Sequence, residues 1–135
     1  MGTKESRIRR EVFARDNYTC RYCDEPVYII RKIVKLLDNS ATVDHVLPSS
    51  KGGTFSKRNL VTCCNRCNNL LGDNLDTFIE KRKFIQKYIE GYKKEEIIEI
   101  LVEEDILNEQ IKKWEREQNK RDKVRLFKGK QHARL

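Results

Sequence analysis

Long apolar runs are missing from this chain of 135 residues, and histidine occurs only twice. No apolar stretch approaches the roughly 18 residues that a membrane-spanning helix needs. The opening residues, MGTKESRIRR, lack the apolar segment of a secretory signal peptide. These absences argue against a membrane protein and against a secreted one, so we expect a cytoplasmic protein.

The number of cysteines argues against a simple disulfide framework. The chain has five cysteines, so pairing them would leave one thiol over. Thiols also stay reduced in the cytoplasm, where disulfide bonds are rare. Metal binding is therefore the better interpretation of these cysteines.

Acidic residues are outnumbered in this sequence. Lysine and arginine total 29 against 21 aspartates and glutamates, and the formal net charge is +8. A positive field raises the local concentration of polyanions such as nucleic acids. Charge alone is weak support for such a partner, because basic faces are often simply solvated.

The first half of the chain mixes helix and strand patterns. Apolar residues share one stripe in the segment 6–16, which predicts a short helix. The segment 27–37 is rich in β-branched residues and favours a strand, although its length and its lysines leave a helix possible. After the turn DNS, the residues ATVDHVLP are the expected partner strand of a hairpin. The residues LVTCCNRCNNLL are predicted to lie in a helix that ends at Gly72.

The second half has a helical pattern. Thr77 and Glu80 have the spacing of a capping box at the start of one helix. A second, strongly charged helix is predicted from Lys93 onward. Between Glu95 and Glu109 it carries acidic residues and no basic one, interleaved with apolar residues that should pack on something. The basic end, KRDKVRLFKGKQHARL, has few structure signals, so we expect its last residues to be mobile.

Two CxxC pairs are the strongest local pattern in the sequence. Cys20 and Cys23 form the first pair, and Cys64 and Cys67 form the second. The two-residue gap lets a tight turn aim two thiolates at one tetrahedral ion. A redox motif of the thioredoxin type would need only one pair. Four thiolates close the coordination sphere, so the expected Zn²⁺ is structural and any catalysis lies elsewhere.

The run CCNRC offers two candidates for the first thiolate of the second pair. The two-residue gap to Cys67 favours Cys64 as the zinc ligand. Cys63 would then be a small buried residue on another face of the same segment.

A further pattern lies around and between the cysteine pairs. The stretches TVDHVLPSSKGG, RNLV and CCNRCNN contain, in this order, D-H, G-G, N-L and C-x-x-C-N. In these stretches the chain resembles the HNH endonucleases, a ββα-metal nuclease family. The resemblance spans about residues 10–73. It implies an α+β fold with a ββα-metal core and a structural zinc site of four cysteines, flanked by an N-terminal helix and C-terminal helices.

The resemblance also implies the roles of four residues. Asp44 and Asn68 would hold one catalytic divalent ion, Mg²⁺ or Mn²⁺. His45 would act as the general base on the attacking water. Asn59 would hold the loop that orients His45.

These residue types suit phosphodiester hydrolysis. The reaction needs a positive charge for the phosphate oxygens and a base for the attacking water. Carboxylate and amide oxygens are suitable ligands for Mg²⁺ or Mn²⁺. A lone histidine in a zinc module is more often structural, but here four cysteines already complete the zinc site. Neighbouring residues on a strand point to opposite faces, so Asp44 and His45 can share a site only if the backbone bends there.

DNA is the substrate that the resemblance implies, and one active site per chain would cut one strand. A monomer would then nick DNA, and a homodimer could break both strands. Basic residues near the motif are candidates for phosphate contacts. They are Arg7, Arg10, Lys51, Lys57, Arg58 and Arg66.

The expected organisation is a nuclease domain at residues 1–75 and a helical extension with a basic tail at residues 76–135. Small HNH nucleases of this size resemble those of bacteriophages, so the chain could be phage-encoded and assist packaging (terminase) proteins. Restriction systems and mobile elements are the alternative biological settings for such a nuclease.

The competing interpretation is a catalytically silent zinc module that binds DNA or docks into a larger complex. Its partner face would be the acidic and apolar helix from Glu95. His132 has no comparable neighbours and is interpreted as a tail residue.

Overall fold

A computed structural model describes residues 2–30 and 37–133, with side chains up to residue 123. The chain divides into two compact units, Met1–Ile97 and Ile98–Leu135. Within the described part of the chain, no helix is both long enough and apolar enough to cross a membrane. The α+β fold expected from the sequence is confirmed.

The first unit contains a two-stranded sheet surrounded by helices. Its elements are α1 (Lys4–Arg15), β1 (Ala41–His45), β2 (Leu60–Cys64), α2 (Asn65–Leu71) and α3 (Phe78–Glu90). Two short 3₁₀ turns, at Ser49–Lys51 and Lys57–Asn59, lie in the loop between the strands. A last helix, α4 (Lys94–Ala133), begins in the first unit and continues through the second. The strands and α2 form the expected ββα arrangement.

The predicted N-terminal helix is confirmed as α1. Thr3 caps it, because the threonine side chain accepts a hydrogen bond from the Ser6 backbone amide. Val12 and Phe13 are its buried residues, and the helix packs against β2. Burial of such side chains stabilises the fold by roughly 1.5–3 kcal/mol each.

The hairpin predicted between residues 27–37 and β1 is wrong for its described part. β1 pairs antiparallel with β2, from Ala41 opposite Cys64 to His45 opposite Leu60. Residues 27–30 form no strand, and Tyr28 makes only an isolated parallel bridge with Ser40. Residues 31–36 of the predicted strand lie outside the described residues. The sequence did not indicate β2 as the partner of β1, because a 14-residue loop rather than a tight turn separates the two strands.

The helix predicted over LVTCCNRCNNLL is wrong in its first part, where β2 lies instead. Both backbone edges of this strand find partners elsewhere in the fold. One edge pairs with β1, while the Thr62 amide donates to Asp16 Oδ2 at 2.9 Å and the Thr62 carbonyl accepts from the Arg21 amide at 3.0 Å. A strand whose backbone is satisfied on both sides is favoured over a helix, and only the tertiary structure supplies those partners. The helix begins only at Asn65 and ends at Leu71 with Gly72 as its C-cap, so the predicted stop at Gly72 is confirmed.

The predicted start of α3 is confirmed. Thr77 Oγ1 accepts from the Glu80 amide at 3.2 Å and donates to Glu80 Oε1 at 2.9 Å. Gly91 ends the helix in the left-handed region, at φ 107°. The helix predicted from Lys93 is confirmed as α4, which runs to Ala133 through most of the basic stretch that has few structure signals.

Candidate functional site

The four cysteines of the CxxC pairs form one buried cluster. Their Sγ atoms all lie within 4.8 Å of one another, and the Sγ atoms of Cys23 and Cys64 are 3.9 Å apart. A zinc ion with Zn–S bonds of about 2.3 Å needs a tetrahedron of thiolates with edges of about 3.8 Å. The donor set and its spacing therefore fit a structural zinc ion.

Local backbone geometry aims each pair of thiols at the cluster. In the first pair, the Asp24 amide donates to the Cys20 carbonyl at 2.9 Å, and Asp24 adopts a φ of 66° to complete the turn. In the second pair, Cys64 is the N-cap of α2, and its Sγ accepts from the Cys67 amide at 3.4 Å. An N-cap position favours a thiolate, because the amides of the first helical turn carry partial positive charge.

Cys63 lies outside this cluster, as the spacing predicted. It is fully buried, and its Sγ donates to the Cys64 carbonyl at 3.3 Å. Burial raises the pKa of the Cys23 thiol to about 11. A cation in the cluster would therefore be needed to keep Cys23 ionised at neutral pH.

A second candidate site is a cavity of about 210 Å³ at the end of β1. Three of the predicted site residues line this cavity together, namely Asp44, His45 and Asn68. The strand ends at His45 and the next two residues form a bend, so the chain changes direction directly after the predicted site residues. The remaining lining residues are Val43, Pro48, Ser49, Gly72 and Asp73.

The carboxylate of Asp44 is buried and held from one side. Its Oδ2 accepts a hydrogen bond from the Tyr22 hydroxyl at 2.7 Å and an ion-pair bond from Lys81 Nζ at 2.8 Å. Among the described residues, no hydrogen bond falls on Oδ1. Burial, reinforced by the charge of Asp44, raises the pKa of Tyr22 well above its ordinary value, so this hydroxyl stays a donor. Asp44 therefore has one oxygen for a ligand in the cavity.

The amide of Asn68 has its orientation determined by neighbouring bonds. The Thr42 hydroxyl donates to the Cys63 carbonyl at 2.7 Å, so its oxygen acts as acceptor toward Asn68 Nδ2 at 3.3 Å. With the nitrogen engaged there, the Oδ1 atom of Asn68 is the one left for a cation. Together with Asp44 Oδ1 it makes a hard oxygen donor set, which suits Mg²⁺ or Mn²⁺.

His45 is supported through both its backbone and its ring. Lys81 Nζ donates to the His45 carbonyl at 2.7 Å. The imidazole ring packs against Phe55 with the ring centroids 5.6 Å apart. The guanidinium of Arg9 lies over the ring of Phe55, 5.2 Å from its centroid. A cationic side chain thus stands close to the predicted base.

Asn59 holds the loop that follows β1. Its Oδ1 accepts from the Leu47 amide at 2.8 Å, and its Nδ2 donates to the carbonyls of Leu47 and Thr54, each at 3.0 Å. The loop closes tightly at Gly53, where an added Cβ would lie 1.7 Å from the Leu47 carbonyl oxygen. Only glycine fits there. The bonds of Asn59 are those that its predicted role requires, while the role itself stays a prediction.

The sequence profile of a protein family described as HNH endonuclease matches residues 20–84. The matched segment includes both cysteine pairs, both strands and α2, and it ends within α3. Residues 20–84 therefore belong to the HNH endonuclease family. The resemblance seen in the sequence is confirmed at the level of the family. No curated protein and no solved structure matches the chain.

Lys81 is a residue beside Asp44 and His45 that the sequence did not reveal. It lies on α3, its side chain is fully buried, and its ammonium contacts both Asp44 and the backbone of His45. A signal for it exists in the helical periodicity, because Lys81 is three residues after Phe78 and four before the buried Ile85. A lysine on the apolar face of a helix needs a buried partner, which is here a carboxylate.

The same helix also contacts the first cysteine pair. Arg82 makes a paired salt bridge with Asp24, the shorter bond being 2.7 Å, and donates to the Arg21 carbonyl at 2.6 Å. Gln86 Nε2 donates to the Tyr22 carbonyl at 2.8 Å. The helix α3 therefore bonds to the cysteine knuckle and to the candidate catalytic strand of the HNH domain.

The predicted phosphate contacts are all exposed, but they do not form one group, because Arg66 lines a cavity that none of the others lines. Lys51, in the loop that follows β1, forms a salt bridge with Asp76 at 2.6 Å, and Lys57 forms one with Glu11. Arg66 lines a different cavity, of about 590 Å³, next to Cys23 and Cys64. Arg7, Arg10 and Arg58 are exposed on α1 and on the loop before β2.

Proposed function

We propose that this protein is a metal-dependent DNA endonuclease that hydrolyses phosphodiester bonds. The observation that carries the proposal is the joint lining of one cavity by Asp44, His45 and Asn68 within an HNH domain. A base and two oxygen ligands at one cavity are the minimal equipment for attacking a phosphate with water.

Asp44 and Asn68 would hold the catalytic divalent ion in this proposal, Asp44 through the carboxylate oxygen that Tyr22 and Lys81 do not occupy. When bound, the ion supplies positive charge to the phosphate and to the departing oxygen. Lys81 and Tyr22 hold the other carboxylate oxygen of Asp44, which prevents the side chain from turning away. The ligand oxygen is thereby kept in place before any substrate arrives.

His45 accepts the proton of the attacking water in this proposal. Its carbonyl is anchored by Lys81, its ring rests on Phe55, and Asn59 holds the loop that follows it. These contacts limit the positions that the imidazole can take, which is what a general base requires. In this proposal Arg9, next to Phe55, and Lys51, in the loop that follows β1, contact phosphates of the bound DNA.

The test is cleavage of supercoiled plasmid by the wild type and by His45→Ala, with EDTA, Mg²⁺ or Mn²⁺ added. Removal of a general base costs about 10²- to 10⁴-fold in rate. The matched control is His132→Ala, which removes the other histidine of the sequence and should leave cleavage unchanged. Zinc content and thermal unfolding, measured on all three proteins, establish that the fold is retained.

Metal-dependent nicking or linearisation by the wild type and by His132→Ala, with loss in His45→Ala, supports the nuclease. If His45→Ala kept more than about one tenth of the wild-type activity, His45 would not be the general base, because removing such a base costs at least about 10²-fold in rate. Absence of metal-dependent cleavage in a zinc-loaded wild type would favour the alternative, a silent zinc module that binds DNA or docks into a larger complex.

A further inference from the structure

The second unit is part of a single helix with apolar side chains in contact with solvent. It continues α4, which is 40 residues long. In its middle, Leu107, Ile111 and Trp114 follow one another at spacings of four and three residues and are 54%, 44% and 60% exposed. Such spacing places the three side chains on one face of a helix. Since most helical stability in proteins comes from packing of such a face, this face is expected to have a partner.

Charge along the same helix changes sign near Ile111. Between Glu95 and Glu109 the sequence has seven acidic residues and no basic one. Between Lys112 and Lys123 it has six basic residues and three acidic ones. The described side chains of both segments are largely exposed. The helix is thus acidic before its exposed apolar face and predominantly basic after it.

We propose that α4 pairs with the α4 of a second copy of this chain, antiparallel and centred near Ile111. In that arrangement the acidic segment of one copy lies along the basic segment of the other, twice in the same dimer. Parallel pairing would instead bring the two acidic segments together. A two-fold axis makes the contact self-complementary, so one stretch of sequence supplies both halves of the interface.

The apolar residues match the same two-fold arrangement. Leu107 and Trp114 lie on either side of the centre, so each Leu107 meets the Trp114 of the other copy. Ile111, next to the axis, meets its own equivalent. Exposed leucine, isoleucine and tryptophan side chains are then covered, and large aromatic residues are the usual anchors of such contacts.

DNA is the alternative partner that a basic helix could bind. The acidic segment argues against it, because seven carboxylates on the same helix would repel a phosphate backbone. A second α4 satisfies both segments at once. If the proposed nuclease function also holds, a dimer carries two active sites and can cut both strands; this consequence rests on that function, whereas the dimer does not.

The experiment uses two charge-reversed variants of the full chain. The first replaces acidic residues: Glu99→Lys, Glu103→Lys and Asp105→Lys. The second replaces basic residues: Lys112→Glu, Lys113→Glu and Arg116→Glu. A control keeps the charges with Glu99→Asp, Glu103→Asp and Asp105→Glu. Self-association is measured by light scattering and sedimentation over a concentration series, at low and high salt and without DNA or added Mg²⁺.

We expect the wild type and the control to form a dimer that weakens with salt. Each reversed variant should self-associate at least tenfold more weakly, since its segments then repel. An equimolar mixture of the two variants should recover the association, because their charges are again complementary. That recovery also shows that neither variant has lost its fold.

A wild type that stays monomeric at all concentrations would overturn the proposal, and so would a mixture that fails to associate. Loss of DNA affinity by a monomeric Lys112→Glu, Lys113→Glu, Arg116→Glu variant would identify the basic segment as a DNA contact instead. Because the measurement needs neither DNA nor a catalytic ion, its failure is distinguishable from failure of the nuclease function.

Discussion

The two candidate metal sites of the HNH domain lie next to each other in the sequence but differ in chemistry. Cys67 belongs to the thiol cluster, and Asn68, the following residue, lines the cavity of the oxygen site. The thiol cluster is buried and has four soft ligands, which would complete the coordination of a tetrahedral zinc ion. The oxygen site offers hard ligands beside an open cavity, where water and phosphate can complete the coordination.

This difference assigns folding stability to the thiol cluster and the proposed catalysis to the oxygen site. A closed site can only hold the chain together, and its binding free energy is part of the folding free energy. An open site contributes little to folding but can bind a substrate. The helix α3 contacts both sites, because Lys81 bonds to Asp44 of the oxygen site while Arg82 and Gln86 bond to the segment of the first cysteine pair.

The largest effect is expected at the thiol cluster. Cys64→Ala removes one zinc ligand, so we expect loss of bound zinc and of the cooperative unfolding transition, since structural zinc contributes an apparent 10–16 kcal/mol, roughly, in small domains. Cys63→Ala, one residue away and outside the cluster, should keep zinc and lose about 1 kcal/mol. Zinc content and thermal unfolding measure both. Normal zinc binding by Cys64→Ala would contradict the ligand assignment.

An intermediate effect is expected at Lys81. Lys81→Met leaves the buried carboxylate of Asp44 without its charged partner, which costs about 3–5 kcal/mol in comparable pairs. Lys87→Met is the matched control on the same helix, because its exposed pair with Glu90, at 3.6 Å, contributes at most about 0.5 kcal/mol.

Urea unfolding, zinc content and plasmid cleavage distinguish the two lysine variants. We expect Lys81→Met to keep its zinc below the unfolding transition while metal-dependent cleavage falls at least tenfold. If Lys81→Met cleaved like Lys87→Met, the contact between α3 and Asp44 would have no part in the oxygen site.

The smallest effect is expected for single phosphate contacts. Arg9 stands beside the oxygen site, over Phe55, whereas Arg66 stands beside the thiol cluster. Arg9→Gln should weaken DNA binding a few-fold and reduce the slope of log affinity against log salt by about 1. Arg66→Gln should change neither quantity appreciably. The opposite ranking of the two arginines would place DNA on the zinc side of the domain.

Short-range patterns in the sequence predicted the thiol cluster well, because a two-residue gap in a turn is a local property. The gap distinguished Cys64 from Cys63, and the structure agrees. The start of α3 at Thr77 was predictable for the same reason, since a cap involves residues three apart. The motif order also predicted three of the residues that line the oxygen cavity, although their catalytic roles stay proposals.

The strand β2 and the buried Lys81 were not predictable in this way. The residues of β2 also suit the start of a helix, and they form a strand because Asp16 and Arg21 occupy the edge opposite β1. In the sequence Lys81 resembles the other lysines of the chain. Its ammonium pairs with Asp44 only because α3 packs onto the domain.

The sequence by itself determined the zinc ligands, the family and the candidate residues Asp44, His45, Asn59 and Asn68, because these depend on residue type and short spacing. Only the tertiary structure decided which strand pairs with β1, which oxygen of Asp44 is held by Tyr22 and Lys81, and which cation lies buried beside it. The physical reason is that hydrogen bonds and ion pairs between segments 20 to 65 residues apart leave no periodic trace in the chain.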